Sequence, residues 1–283
     1  LDPFLYVPFE GRIDPRSGAS FQSAETIFTD GKFGKGIKMS RHGYDRKAVA
    51  RLTEVEGMSS KAQSMLFYFA PDWDGASDAG THGLMAGSSG SLKFEIVKEG
   101  GKVAFKVSSP GGSERVSLPA ALLKKGQHAR ICFGFDLGSK EFYGAIGGER
   151  AGGRLPFGAP DDMGPGRLVL GDTPDSDTYS KTQAEGVIDE LVMCPDLLSP
   201  QELSKVRKAQ SKKAAASRSA KLKIHRVRDS EKAIWSPDGA ETFKTRGMPE
   251  HGIPQIWLSD GPHGLRKQAG ESDHLGLNPS VPA

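Results

Sequence analysis

Between Phe4 and Met193 the chain is a succession of short apolar or alternating runs divided by turns rich in Gly, Pro and Asp, and helical periodicity is nearly absent before Ser199. Phe4-Leu5-Tyr6-Val7 is a brief strand that Pro8 places near an edge. Residues 21–28 are mixed and partly extended. An Asp30-Gly31 turn opens GKFGKGIKM, whose glycines permit close backbone approach. Met65-Leu66-Phe67-Tyr68-Phe69 is almost continuously apolar, the signature of a strand buried on both faces. Leu92 to Ile96 alternates, turns at Gly100-Gly101, and returns through Val103 to Val107 as a hairpin with one wet and one dry face. Runs at 129–135, 142–146, 167–170 and 187–193 add further strands. Many short, turn-bounded strands specify a mainly β chain folded as an antiparallel sandwich. A hydrophobic fraction of 36% with both charge signs mixed excludes a disordered chain. No apolar run approaches the roughly 20 residues a membrane-spanning helix needs.

Ser199-Pro200-Gln201-Glu202 is a capping box with Pro at the first helical position, so a helix begins there and runs through Leu203 and Val206. From Lys205 to Arg228 the chain holds ten Lys and Arg and no Asp or Glu. Such a run attracts phosphates electrostatically, but it lacks interleaved aromatics, and a solvated basic helical linker over 204–228 is the reading adopted, without a nucleic-acid partner. Residues 223–227 are expected to form a brief strand opening the next unit. Over the whole chain the net charge is only +3.

Near the C-terminus, Ile256-Trp257-Leu258 is a short β-favouring run broken by Ser259-Asp260-Gly261-Pro262. A strand running into a polar turn is where α/β barrels and open sheets place their sites. Asp260 would sit at the strand's carboxyl end, with His263, Arg266 and Lys267 in the following loop. A carboxylate that accepts and a guanidinium that donates suit a small polyhydroxylated ligand; the plainer alternative is a surface turn with a salt bridge. A complete eight-fold barrel takes roughly 250 residues, so 229–283 offers one strand and its flanking loops.

Within the sandwich the candidate functional residues are few. Trp73, between Asp72 and Asp74, is a candidate for stacking on a sugar ring, against the alternative of a packed edge residue. Asp172, Asp175, Asp177 and Asp189 supply hard oxygens of the kind calcium takes, although their spacing is not that of an EF-hand and solvated loop acids are the alternative. The seven His show no metal-ligand spacing. Cys132 and Cys194 lie in apolar runs; two buried thiols are the default and one bridge between neighbouring strands the alternative. No carboxylate pair stands out as acid and base, so the sandwich is not expected to be a glycanase.

Two resemblances sharpen these expectations. VPFEG at 7–11, DGKFGKGIKM at 30–39, LKKGQHARICFGFD at 123–136, RLVLGD at 167–172 and GVIDELVMCPDLLSPQEL at 186–203 resemble a concanavalin-A-like jelly roll of the laminin-G-like type, spanning 1–203. The family's Trp in Gly-Gln-Trp-His is missing, since His128 follows Gln127 directly. GAETFKTRGMPEHGIP and DGPHGLRKQAGESDHLGLNPSVPA, within 230–283, resemble the start of the catalytic barrel in family 3 glycoside hydrolases, the β-glucosidase family. That resemblance implies a retaining, exo-acting β-glycosidase without a cofactor. It makes Asp260 and Arg266 sugar-binding residues of the non-reducing-end subsite, with His263 shaping the turn. The family's nucleophile and acid/base lie beyond this stretch, and none of Glu241, Glu250, Glu271 or Asp273 falls on its catalytic motif. The expectation is therefore the N-terminal part of an exported bacterial carbohydrate-active protein, non-catalytic by itself, whose partners are an oligo- or polysaccharide and the rest of the barrel. The alternatives are a stand-alone carbohydrate-binding or adhesion module and a structural spacer.

Overall fold

The computed structural model describes residues 2–10, 20–22, 27–39, 50–173 and 182–226. The chain divides into two compact units, Leu1–Lys213 and Ala214–Ala283. The first is a β-sandwich of two antiparallel sheets. One sheet runs in the order β13 (Glu149–Arg154), β12 (Glu141–Ile146), β11 (Ala129–Asp136), β6 (Ala62–Pro71), β15 (Gly186–Cys194), β4 (Lys35–Met39) and β3 (Phe28–Asp30), with β1 (Leu5–Val7) also paired to β15. The other runs β10 (Gly112–Pro119), β9 (Lys102–Ser109), β8 (Leu92–Glu99), β7 (His82–Ser89), β14 (Gly166–Leu170), β5 (Ala50–Val55) and β2 (Ser20–Gln22). The strands expected between Phe4 and Met193 form where the chain is described, and the hairpin through Gly100-Gly101 is β8 paired with β9.

Alternation along each strand sends one row of side chains between the sheets. Phe133 of β11 is the centre of that layer, its ring lying 5.8 Å from Phe94, 5.9 Å from Phe105 and 6.0 Å from Phe135. All four rings are buried. Each such side chain contributes about 1.5–3 kcal/mol by leaving water, which commits both sheets to one register. Met65 to Phe69, read as buried on both faces, is buried at every position but Tyr68, which is partly buried. The outer face of β6 and β11 is covered by the chain that follows β15. Ser64 Oγ donates to Asp196 O at 2.7 Å, and Tyr143 Oη reaches Leu198 O at 2.5 Å. A Cβ on Gly134 would meet Tyr143 and Leu197 at under 3 Å, so only glycine admits this approach. Gly36 serves likewise where β4 lies against β15, since its Cβ would fall 2.7 Å from Val187 Cγ1.

The helix α1 (Pro200–Arg226) starts at the expected capping box: Ser199 N and Oγ both donate to Glu202, and Glu202 N donates back to Ser199 Oγ. It runs through 223–226, so the strand expected there is helical instead. Lys223 and Arg226 are good helix formers, and the one β-branched residue of the stretch, Ile224, does not outweigh them. The first turns of α1 belong to the sandwich unit. Leu203, Val206, Arg207 and Gln210 are buried, and Lys213 Nζ pairs with Asp2 at 3.0 Å. The residues read as the barrel strand and its loop, 253–268, lie outside the described residues.

Candidate functional site

The outward face of the second sheet is where sequence-distant strands bring polar side chains into register. In one row Val169 stands opposite both Arg51 and Ala86, Ala86 opposite Glu95, Glu95 opposite Lys106, and Lys106 opposite Arg115. In the next row Ser88 stands opposite both Arg167 and Lys93, and Lys93 opposite Ser108. Neither row holds an aromatic ring. Small residues, Ala86, Ser88 and Ser108, make the floor, and cations stand around them. Over β8, β9 and β10 the face carries a shallow groove of about 430 Å³ whose lining includes Lys93, Glu95, Lys106, Ser108 and Arg115. Lys106 pairs with Glu95 at 3.0 Å and with Glu99, and Arg115 Nη1 lies 3.5 Å from Glu99. The bonds to both carboxylates raise the Lys106 ammonium above its usual range, although burial opposes them. Arg51, Lys93 and Arg167 make no ion pair among the described residues. Sequence inspection of 92–107 shows a wet face but cannot show that Arg51 and Arg167 join it, because only the sheet order brings β5 and β14 alongside.

A second polar cluster lies under α1. Midway along β15 its partner changes from β4 to β1, and the register on β6 shifts between Asp189 and Val192. Glu190 takes a left-handed φ of 56° there, so two consecutive carboxylates leave the strand in different directions. Asp189 Oδ2 accepts from Phe33 N at 2.9 Å, and its Oδ1 is buried without a hydrogen-bond partner. Burial pushes its carboxyl up to about 6, against the backbone donors that lower it. Glu190 accepts from Tyr6 Oη at 3.2 Å and lies 3.5 Å from Arg207 Nη1 of the helix. Burial, then the neighbouring Asp189 charge, pushes Glu190 up to about 7. The Arg207 guanidinium also lies 3.9 Å from the centre of the Phe33 ring, which meets Tyr68 edge-on at 5.1 Å.

Trp73, the candidate for sugar stacking, is 7% exposed. Its ring is stacked on His82 at 4.5 Å and 14°, and its Nε1–H donates to Ala184 O at 2.8 Å. Lys98, wholly buried at the end of β8, lies 5.4 Å from that ring and donates to the Asp78 carboxylate and to Gly80 O. His82 bridges the same Asp78 at 3.0 Å and Gln183 O at 2.8 Å. Trp73 is thus a packed residue of the sandwich's end, the plainer of its two sequence readings, and no open face of its ring meets solvent. Lys98 was not legible as part of this cluster, since a lysine in an alternating strand reads as solvated even when its position points inward.

Of the calcium candidates, Asp172 follows β14, and its Oδ1 accepts from Thr173 N at 2.8 Å and Thr182 Oγ1 at 2.7 Å. Asp189 lies within β15, and Asp175 and Asp177 lie outside the described residues. Among the described residues no three His, Cys, Asp or Glu converge as metal ligands. Asp260, His263 and Arg266 also lie outside the described residues. Cys132 and Cys194 are both buried and free. They stand opposite Leu66 and Ser64 on the two sides of β6. Two strand spacings, roughly 9.6 Å, exceed the reach of a disulfide.

No family model matches the chain. A stretch of 45 residues is 44% identical to thermostable beta-glucosidase B of Acetivibrio thermocellus, covering 16% of this chain and 6% of that protein. The fold is similar to domain 4 of a GH43 extracellular arabinanase from Geobacillus stearothermophilus, solved in complex with arabinotriose (TM-score 0.51, 18% identity, 73% of this chain and 98% of that one). It is also similar to the receptor-binding domain of botulinum neurotoxin D (TM-score 0.56, 9% identity, 74% of this chain and 53% of that one).

Proposed function

We propose that this chain is the N-terminal part of a family 3 glycoside hydrolase of the β-glucosidase type, and that its β-sandwich is a carbohydrate-binding accessory unit. The observation that carries the catalytic half is the 45-residue match to a β-glucosidase, which spans 6% of that enzyme. The string DGPHGLRKQ supports it by its resemblance to the family's first barrel strand and loop. The sandwich half is supported by a fold shared with an arabinanase domain that holds arabinotriose. In this reading Asp260 accepts hydrogen bonds from the hydroxyls of the terminal sugar and Arg266 donates to them. The nucleophile and the acid/base that retaining cleavage needs, about 5 Å apart, come from the rest of the barrel, which is this chain's covalent or assembled partner.

Asp260→Ala in the complete enzyme tests the assignment. Leaving ligand hydroxyls unpaired costs a few kcal/mol, so kcat/KM on an aryl β-glucoside should fall by about a hundredfold or more, with the sandwich's thermal transition unchanged. Full activity in that variant would sink the role of Asp260. A second reading, a stand-alone carbohydrate-binding module, is favoured by the arabinanase domain being matched over nearly its whole length. Glycan binding by residues 1–213 without any turnover in the complete protein would select it.

A further inference from the structure

Building on the carbohydrate-binding role of the sandwich, we propose that the outward face of the sheet β10-β9-β8-β7-β14-β5 binds polysaccharides that carry carboxylate or sulfate groups, with Lys93, Arg167 and Arg51 as the recognising cations. Glu114, which lines the β10 side of the groove, accepts from the Arg115 backbone N–H at 2.9 Å, while the other two carboxylates are ion-paired. Glu95 and Glu99 are held by Lys106 and Arg115, so that quartet is close to neutral and leaves the other three cations uncompensated. Lys93 and Arg167 flank Ser88 from the two neighbouring strands, which sets their backbones roughly 9.6 Å apart. Arg51 stands opposite Val169, two residues along β14 from Arg167 and on the same face. The three cations therefore border a floor of Ala86, Ser88 and Ser108 that rises little above the backbone. A linear chain can lie across such a floor with its anionic groups against the cations, and the guanidinium of Arg167 offers a carboxylate or sulfate two parallel donors.

The chemistry of the face argues against other ligands. Neutral sugars and single-stranded nucleic acids both draw on aromatic faces for stacking, and neither register row supplies a ring. A membrane surface would call for apolar side chains able to enter the acyl boundary, and the two rows offer nothing apolar larger than Val169.

The test is affinity electrophoresis of the full chain in native gels containing polygalacturonate or dextran sulfate, with methyl-esterified galacturonan and arabinan as neutral counterparts. Retardation is expected in the acidic gels, with little in the methyl-esterified one. It should vanish near 1 M NaCl, where the screening length falls to about 3 Å. The double substitution Lys93→Ala and Arg167→Ala should weaken acidic binding by about tenfold or more. Lys124→Ala with Lys125→Ala, on the exposed turn before β11, serves as a charge-matched control and should leave binding unchanged. Retardation by arabinan alone would overturn the acidic preference while leaving a carbohydrate-binding sandwich intact. Silence in every gel would overturn both. Equal loss in the control pair, or unaltered binding by the groove variant, would remove the site from this face. Tighter retention by single-stranded DNA through the same residues would reassign the face to nucleic acid.

Discussion

At the residue scale, the adjacent carboxylates Asp189 and Glu190 make stability depend on pH in an uncommon direction. Both folded-state values, about 6 and about 7, lie above the usual 3.8 and 4.5 because burial disfavours the charged forms. The folded chain therefore holds protons that the unfolded chain releases. Their contribution is fully present below about pH 4 and is lost as pH rises through 6 and 7. One pKa unit corresponds to about 1.4 kcal/mol, so the melting temperature should fall by several degrees between pH 5 and pH 8. Asp189→Asn keeps an acceptor for Phe33 N and removes the buried charge. Its melting temperature should fall less across the same interval, as scanning calorimetry at both pH values would show; a parallel decline would refute the assignment. That Asp189 falls within the strand run 187–193 was legible. Its orphaned oxygen was not, because that depends on a register shift and a left-handed residue next to it, which no local pattern announces.

At the scale of the element, α1 shows what a capping box can and cannot tell. Ser199 and Glu202 marked the helix start, and the structure places them as read. The basic run that follows looked like a solvated arm throughout. Its first turns instead bury Leu203, Val206 and Arg207 against the sheet, since one arginine finds both a buried carboxylate and an aromatic face. Arg207 is the clasp: it pairs with Glu190, covers Phe33, and holds the helix where Ser204 receives a hydrogen bond from Arg130 at 3.0 Å. Removing one partner of a buried ion pair costs about 3–5 kcal/mol. Arg207→Ala should accordingly speed hydrogen exchange over residues 200–213 far more than over β6 or β11. Uniform acceleration, or none, would show that the helix is held by its apolar contacts alone.

For the whole molecule, the sandwich was legible because its evidence is distributed: alternating runs of the right length, each closed by turn chemistry. The pairing order was not, since it depends on which strand lies beside which across long separations. That order is what converts scattered lysines and arginines into one cationic face. The first compact unit runs to Lys213, and the first turns of α1 are packed within it. A chain ending at Lys213 should therefore melt at the temperature of the sandwich transition in the full chain. One ending at Leu203 should melt lower, by roughly 2–4 °C for each kcal/mol lost, having shed Val206, Arg207 and Gln210. Equal melting temperatures for the two truncations would make those helix contacts dispensable.

The two free thiols on either side of β6 have a practical consequence. Burial pushes both up to about 12, so neither carries appreciable thiolate at neutral pH, the form that alkylating reagents require. Each becomes a built-in clock: both stand outside the layer between the sheets, so iodoacetamide can mark Cys132 or Cys194 only during the moments when the covering chain lifts or its strand parts from β6. Peptide mapping of the labelled protein would time those excursions separately. Matching rates would mean that one event uncovers both, and faster marking at Cys194 would mean that the end of β15 is uncovered first.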